Sequence, residues 1–321
     1  MKTIDEIYEE LQNEKEVKEL NEEWKELTAS NKKQIKISAI ICVILDIFII
    51  IFLRKIIMPN LIMPLQATLL IVVISNAMIF IIGTVMTQTA PKQLNFNQKY
   101  KNIVLKKIIN NFYNNLEYFP YKEMPEYIYR DNVYEFYDKY NSSNYFEAQI
   151  NNKYDIQMAE VETTKEEEYT NSEGEKETRT VTVFHGLFAK IVIDKSIKSD
   201  LRIMQDRSFK YDKNRLNMDS SEFEKYFDVK ASDSIMAMQL LTADVMEELV
   251  MFENKTKMKY DVHIINNEIY LRFHSGTMSF YIGELKDGVL DKNLIHKYFY
   301  TLNFTYNLAN KLIDIINDTQ I

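Results

Sequence analysis

Residues 37–53, ISAIICVILDIFIIIFL, and residues 61–86, LIMPLQATLLIVVISNAMIFIIGTVM, are two long apolar runs, and residues 56–91 contain no Asp, Glu, Lys or Arg. Runs of this length suit membrane helices, with Arg54 and Lys55 snorkelling while residues 56–58 complete the first span. Met58-Pro59-Asn60 breaks the helix between them, and Pro64 falls in the first turn of the second, where its missing N–H costs little. The reading predicts a two-helix transmembrane hairpin over residues 36–58 and 61–86. Lys32, Lys33 and Lys36 precede it and Lys92, Lys99 and Lys101 follow it, against Arg54 and Lys55 in the turn. The positive-inside rule then predicts a multi-pass cell-membrane protein, embedded in the lipid bilayer, with both termini cytoplasmic.

Within those runs Asp46, Ser75 and Asn76 fall at similar depth and form a candidate intramembrane polar site. A carboxyl is costly there. It either handles ions or protons, as in a small transporter or channel component, or is a protonated acid hydrogen-bonded across the hairpin or between copies.

Residues 1–35 precede the hairpin, and residues 4–34 lack Gly and Pro, so an amphipathic helical tail is predicted. Ile4, Ile7 and Leu11 make one stripe, and Val17, Leu20, Trp24 and Leu27 another on a different face. Either the helix breaks near Asn13 to Glu16, or one helix touches two surfaces. The second stripe has coiled-coil spacing and is the candidate partner-binding stripe; packing against the chain's own domain or a second copy is the alternative.

Downstream, residues 92–150 read as a helical, aromatic-rich segment whose helix stops before Pro120. Its Tyr127, Tyr129, Tyr134, Phe136, Tyr137 and Tyr140 are interleaved mainly with Asp, Glu and Asn, which fits a packed surface better than nucleobase stacking. Residues 151–321 read as an α+β domain with antiparallel strands, including strands over 156–161 and 181–193. A hairpin of 260–265 and 268–273 turns at Asn266-Asn267, Thr242 caps a helix over 243–256, and a long C-terminal helix covers 290–316. The Glu-rich residues 164–178 are read as a mobile loop. The fold class is therefore α+β: a helical tail, a two-helix transmembrane hairpin, and a cytoplasmic α+β domain ending in a long helix.

Composition narrows the chemistry. Over 321 residues the net charge is −8, which argues against nucleic acid as the main partner. The one cysteine, Cys42, excludes an intrachain disulfide and a cysteine-based zinc site. His185, His263, His274 and His296 show no metal-binding spacing, and the six glycines form no phosphate-cradling loop. No catalytic, metal or cofactor-binding residue is assigned, and no cofactor is expected. What remains is a non-enzymatic, membrane-tethered binding or scaffolding protein that presents its α+β domain to a protein partner. A membrane-bound hydrolase of unrecognised type, or a transporter or channel component using Asp46, is the alternative. A cleft gathering His263, His274 or His296 with acidic neighbours would favour the hydrolase.

Phe184-His185-Gly186-Leu187-Phe188, residues 217–229 (NMDSSEFEKYFDV), residues 237–241 with Thr242, Met246 and Glu247, and Ile269-Tyr270-Leu271 resemble the bacterial family called domain of unknown function 3137. The likeness covers residues 184–271. It implies a membrane-anchored protein without an established activity, and a LemA-type membrane protein as a partner. A charged stretch usual in that family is here Ala231-Ser232-Asp233-Ser234-Ile235-Met236-Ala237-Met238, largely uncharged, so a binding role of those charges does not carry over.

Overall fold

The computed structural model describes residues 1–52, 77, 91–131, 135–172, 174–205, 215–275, 280, 282, 285 and 288–318. Two compact units are present: Met1–Tyr8 with Val104–Glu284 and Lys292–Ile321, and Glu9–Ile103 with Leu285–Asp291.

The first unit is built on a seven-stranded antiparallel sheet of β1 (Asn114–Phe119), β2 (Lys139–Ile150), β3 (Tyr154–Thr170), β4 (Lys176–Gln205), β5 (Arg215–Leu216), β6 (Phe227–Ala231) and β7 (Lys259–His274). The strand order is β1-β2-β3-β4-β6-β5, with β7 also paired to β4. Asn151 and Asn152, both at positive φ, make the tight connection from β2 to β3. Asparagine tolerates that left-handed conformation because its short amide can bond locally.

β7 reverses direction along its length. The His274 Nε2 atom is 2.8 Å from Asp261 Oδ2, and the Tyr260 and Phe273 rings lie 5.9 Å apart, as do the His263 and Tyr270 rings. Thirteen residues of straight strand would separate Asp261 from His274 by about 43 Å. The chain therefore doubles back at Asn266-Asn267, where Asn266 has φ 53°, and two arms run side by side. β4 brackets this hairpin: residues 186–192 pair with 268–274, and residues 197–203 pair with 262–266. Residues 193–196 pass the hairpin tip between the two pairings.

Helices cover both faces of this sheet. Toward one face stand α7 (Ala243–Thr256) and α8 (Lys292–Asp318), where Phe252 stacks on Phe304 at 3.7 Å and Tyr260 donates its hydroxyl to the Leu249 carbonyl at 2.7 Å. Thr242 caps α7 by accepting from the Val245 N–H, and α6 (Ser234–Leu240) is capped by Asp233, which accepts from Ile235 and Met236. Each cap satisfies amide groups that have no carbonyl partner inside their helix. On the other face Met124 and the Ile128 and Tyr129 side chains of α5 (Glu126–Arg130) pack with Phe184, Phe188 and Tyr270.

The second unit contains α2 (Lys15–Phe52), separated from α1 (Ile4–Asn13) by Glu14, and α3 (Pro91–Tyr100), which leads through a π-helical turn (Lys101–Leu105) into α4 (Lys106–Asn110) of the first unit. Lys99 of α3 bonds Glu23 of α2 at 2.8 Å, and Asn21 accepts from the Val289 N–H.

Several expectations are corrected. Among the described residues no helix is long and apolar enough to cross a membrane. The apolar end of α2, residues 37–52, rises only about 24 Å against a hydrocarbon core of ~30 Å, and it includes Asp46. The transmembrane hairpin, the multi-pass cell-membrane placement with cytoplasmic termini, and the coiled coil are accordingly not supported. Residues 53–60 and most of the second run, including Ser75 and Asn76, lie outside the described residues. Residues 164–178 are mostly strand, extending the β3–β4 hairpin to Thr170↔Lys176. Glu167 there pairs with Arg179 on the opposite strand, and Thr178, Thr180, Val181 and Thr182 favour extended backbone. Within 92–150, residues 114–119 and 139–150 are strands rather than helix.

One glycine shows how tightly β4 and β7 meet. A Cβ added to Gly186 would stand 1.7 Å from the Phe273 carbonyl oxygen, whereas one added to Gly174, at φ 84°, meets nothing within 4 Å. Gly186→Ala should cost about 3 kcal/mol or more in denaturant unfolding, and Gly174→Ala about 1 kcal/mol. Equal losses for the two variants would contradict the close approach.

Candidate functional site: a row of cations across four strands

Register places Arg215 of β5 opposite Lys230 of β6, Lys230 opposite Arg202 of β4, and Arg202 opposite His263 of β7. Directly paired residues share a face of the sheet, with Cβ atoms about 4.5–5.5 Å apart. Three cations and a histidine therefore stand in one row across four strands. Like charges so placed repel by roughly 0.2–1 kcal/mol per pair, a cost that strand pairing alone gives no reason to carry.

Two carboxylates partly offset it. Asp200 accepts from Arg202 Nε at 3.0 Å and Nη2 at 2.6 Å, and Asp228, buried behind the row, lies 2.9 Å from Arg215 Nε. Arg202, Arg215 and Lys230 line an open cleft of about 600 Å³, together with Asp200, Leu216, Ala231, Ser232 and Ser234. Ser232 Oγ accepts from the Asp200 N–H at 3.0 Å, and Ser199 Oγ from the Asp233 N–H at 3.3 Å, which fixes the corner between β4 and the start of α6.

His263 completes the row from a buried position, with Nε2 2.9 Å from Asp200 Oδ1. Burial lowers its pKa below the usual 6.5, overcoming the opposing pull of Asp200. Burial alone would raise Asp200, but the Arg202 and His263 contacts outweigh it and hold the carboxyl below 3.8. Farther along the hairpin, Asp261 holds His274, and Arg272 bonds Glu135 at 2.9 Å while lying over the Phe184 ring. Among the described residues no three His, Cys, Asp or Glu side chains come together to hold a metal.

The residues singled out from sequence are elsewhere. Val17 and Leu20 are buried within the chain, and Trp24 and Leu27 are half-buried, with Trp24 facing Gly288. Asp46 belongs to α2, but its side chain is outside the described residues. Sequence reasoning singled out none of Arg202, Arg215 and Lys230, which no motif links.

Fold and site together define an antiparallel α+β protein with a basic cleft at one end of its central sheet. Residues 182–313 match the family model described as "Protein of unknown function (DUF3137)", so this segment is similar to that family. The match does not show membrane anchoring. No curated protein matches the chain. Among solved structures, the crystal structure of the mycobacterial trehalose monomycolate transport factor A, TtfA, is similar at 7% identity over 67% of this chain and 94% of that chain, with a TM-score of 0.34. A likeness that weak carries no argument about function.

The depressed pKa of His263 has a consequence for stability. Its folded value lies below the unfolded 6.5, so on acidification the unfolded chain takes up the proton first. The stabilisation is fully present above 6.5 and is lost as pH falls from there through the folded value. Melting temperature should therefore drop as pH falls below 6.5, with a shallower slope for His263→Gln. The same slope in both proteins would contradict a buried, neutral His263.

Proposed function

We propose that the chain is a non-enzymatic binding or scaffolding protein that holds a protein partner on the surface of α6 beside the basic cleft. One observation carries this reading: α6 is capped and anchored inward by Ala237 and Leu240, yet leaves Ile235 70% and Met238 53% exposed. Two apolar side chains displayed on an ordered helix beside a charged rim have the makeup of a small binding hot spot. The stretch is where the family resemblance leads one to expect charge, so contact here depends on apolar burial. A LemA-type protein, implied by that resemblance, is the first partner to test.

A specific observation also favours hydrolysis: His263 is paired with Asp200, which lines the cleft, and burial lowers its pKa, as suits a general base. The two readings separate by mutation. Ile235→Asp with Met238→Asp should reduce crosslinked recovery of a wild-type partner from intact cells about tenfold while leaving the melting temperature unchanged. Undiminished recovery would overturn the docking surface. If folded His263→Gln abolishes cellular function while partner recovery stays intact, hydrolysis becomes the better account.

A further inference from the structure

We propose, resting on the docking of a protein partner at α6, that Met238 is a modification site: oxidation of its thioether by a hydroperoxide weakens the hold on that partner. Access to the sulfur is selective. Among the described methionines, Met1, Met238 and Met251 are exposed, whereas Met124, Met158, Met218 and Met246 are buried. A peroxide must reach the sulfur to react, so the exposed side chains are oxidised first. Of those three, Met238 alone belongs to α6, three residues after Ile235, a spacing that makes the two side chains neighbours on the helix surface. Met251 belongs to α7 and has similar exposure, 44%, without a place on the docking surface.

The sulfur attacks one peroxide oxygen, so that an S–O bond forms as the O–O bond breaks. With hydrogen peroxide, the proton of the transferred oxygen passes to the departing one, which leaves as water. The thioether loses two electrons and the peroxide gains them. The product is a polar sulfoxide in the middle of an apolar contact made by Ile235 and Met238, so the surface loses much of what it offers a partner. The fold is spared, because α6 is held by the buried Ala237 and Leu240 and by the Asp233 cap on the Ile235 and Met236 amides. Leucine would give the same apolar cover, and only the thioether adds this chemistry. Methionine sulfoxide reductases restore it, which makes the change reversible.

The test uses the full chain and hydrogen peroxide. In the purified protein, peptide mapping by mass spectrometry should find sulfoxide at Met238 and Met251 before Met124, Met158, Met218 or Met246, with the melting temperature unchanged. In intact cells, recovery of the protein crosslinked to wild type is then measured for each variant with and without peroxide. Losing one of two contacts whose joint loss costs about tenfold predicts about a threefold fall in wild type and in Met251→Leu. Met238→Leu, which cannot form a sulfoxide, should hold its own untreated level, and Met238→Gln should show the fall without peroxide. Sulfoxide no earlier at Met238 than at the buried methionines would overturn the assignment. So would undiminished recovery with Met238 fully oxidised, or equal falls in wild type and Met238→Leu, each leaving the docking surface standing. Undiminished recovery for Ile235→Asp with Met238→Asp in untreated cells is the separate outcome that removes the docking surface, and the modification's effect with it.

Discussion

The structure depends on the double pairing of β4, whose residues 186–192 and 197–203 clasp the two arms of β7. That clasp fixes the reversal at Asn266-Asn267 and brings Tyr260 against Phe273 under α7 and α8. It also requires Gly186, where the Phe273 carbonyl leaves no room for a side chain. The aromatic and glycine residues at 184–188 that mark the family likeness are thus explained by packing. Phe184 and Phe188 fill the core under α5, and Gly186 lets the β7 backbone approach.

The same clasp sets the site. Once 197–203 is held against 262–266, Arg202 must lie beside His263, and β6 and β5 then add Lys230 and Arg215 to the row. A one-residue slip anywhere would send these side chains to the opposite face. Asp228 and Asp200 offset part of the repulsion while holding the guanidinium groups in place. Arranging like charges side by side at some cost in stability is the kind of local conflict that proteins keep at functional sites. α6 begins at the edge of this cleft, so its exposed Ile235 and Met238 sit beside the positive row.

Local signals were legible in the sequence, and signals of register were not. Thr242 before an apolar-periodic run marks the cap of α7, the periodicity of 290–316 marks α8, and Asn266-Asn267 marks the reversal in β7, because each depends on residues within one turn of one another. Arg202, Arg215, Lys230 and His263 are far apart in sequence, and only strand register unites them. Two errors came from composition. A run of glutamates looked like solvated loop, although opposite charges across β3 and β4 pair them as strand. The length and apolarity of the two runs suit membrane spans, whereas among the described residues no helix is long and apolar enough to cross a membrane.

Register is where fold and proposed site meet, and cross-strand proton contacts measured by nuclear magnetic resonance on the full chain report it directly. The account predicts backbone contacts from Arg202 to both His263 and Lys230, and from Lys230 to Arg215. Contacts displaced by one residue, with Lys230 facing Ile203, would place alternate side chains in the cleft and contradict both the basic row and the site built on it.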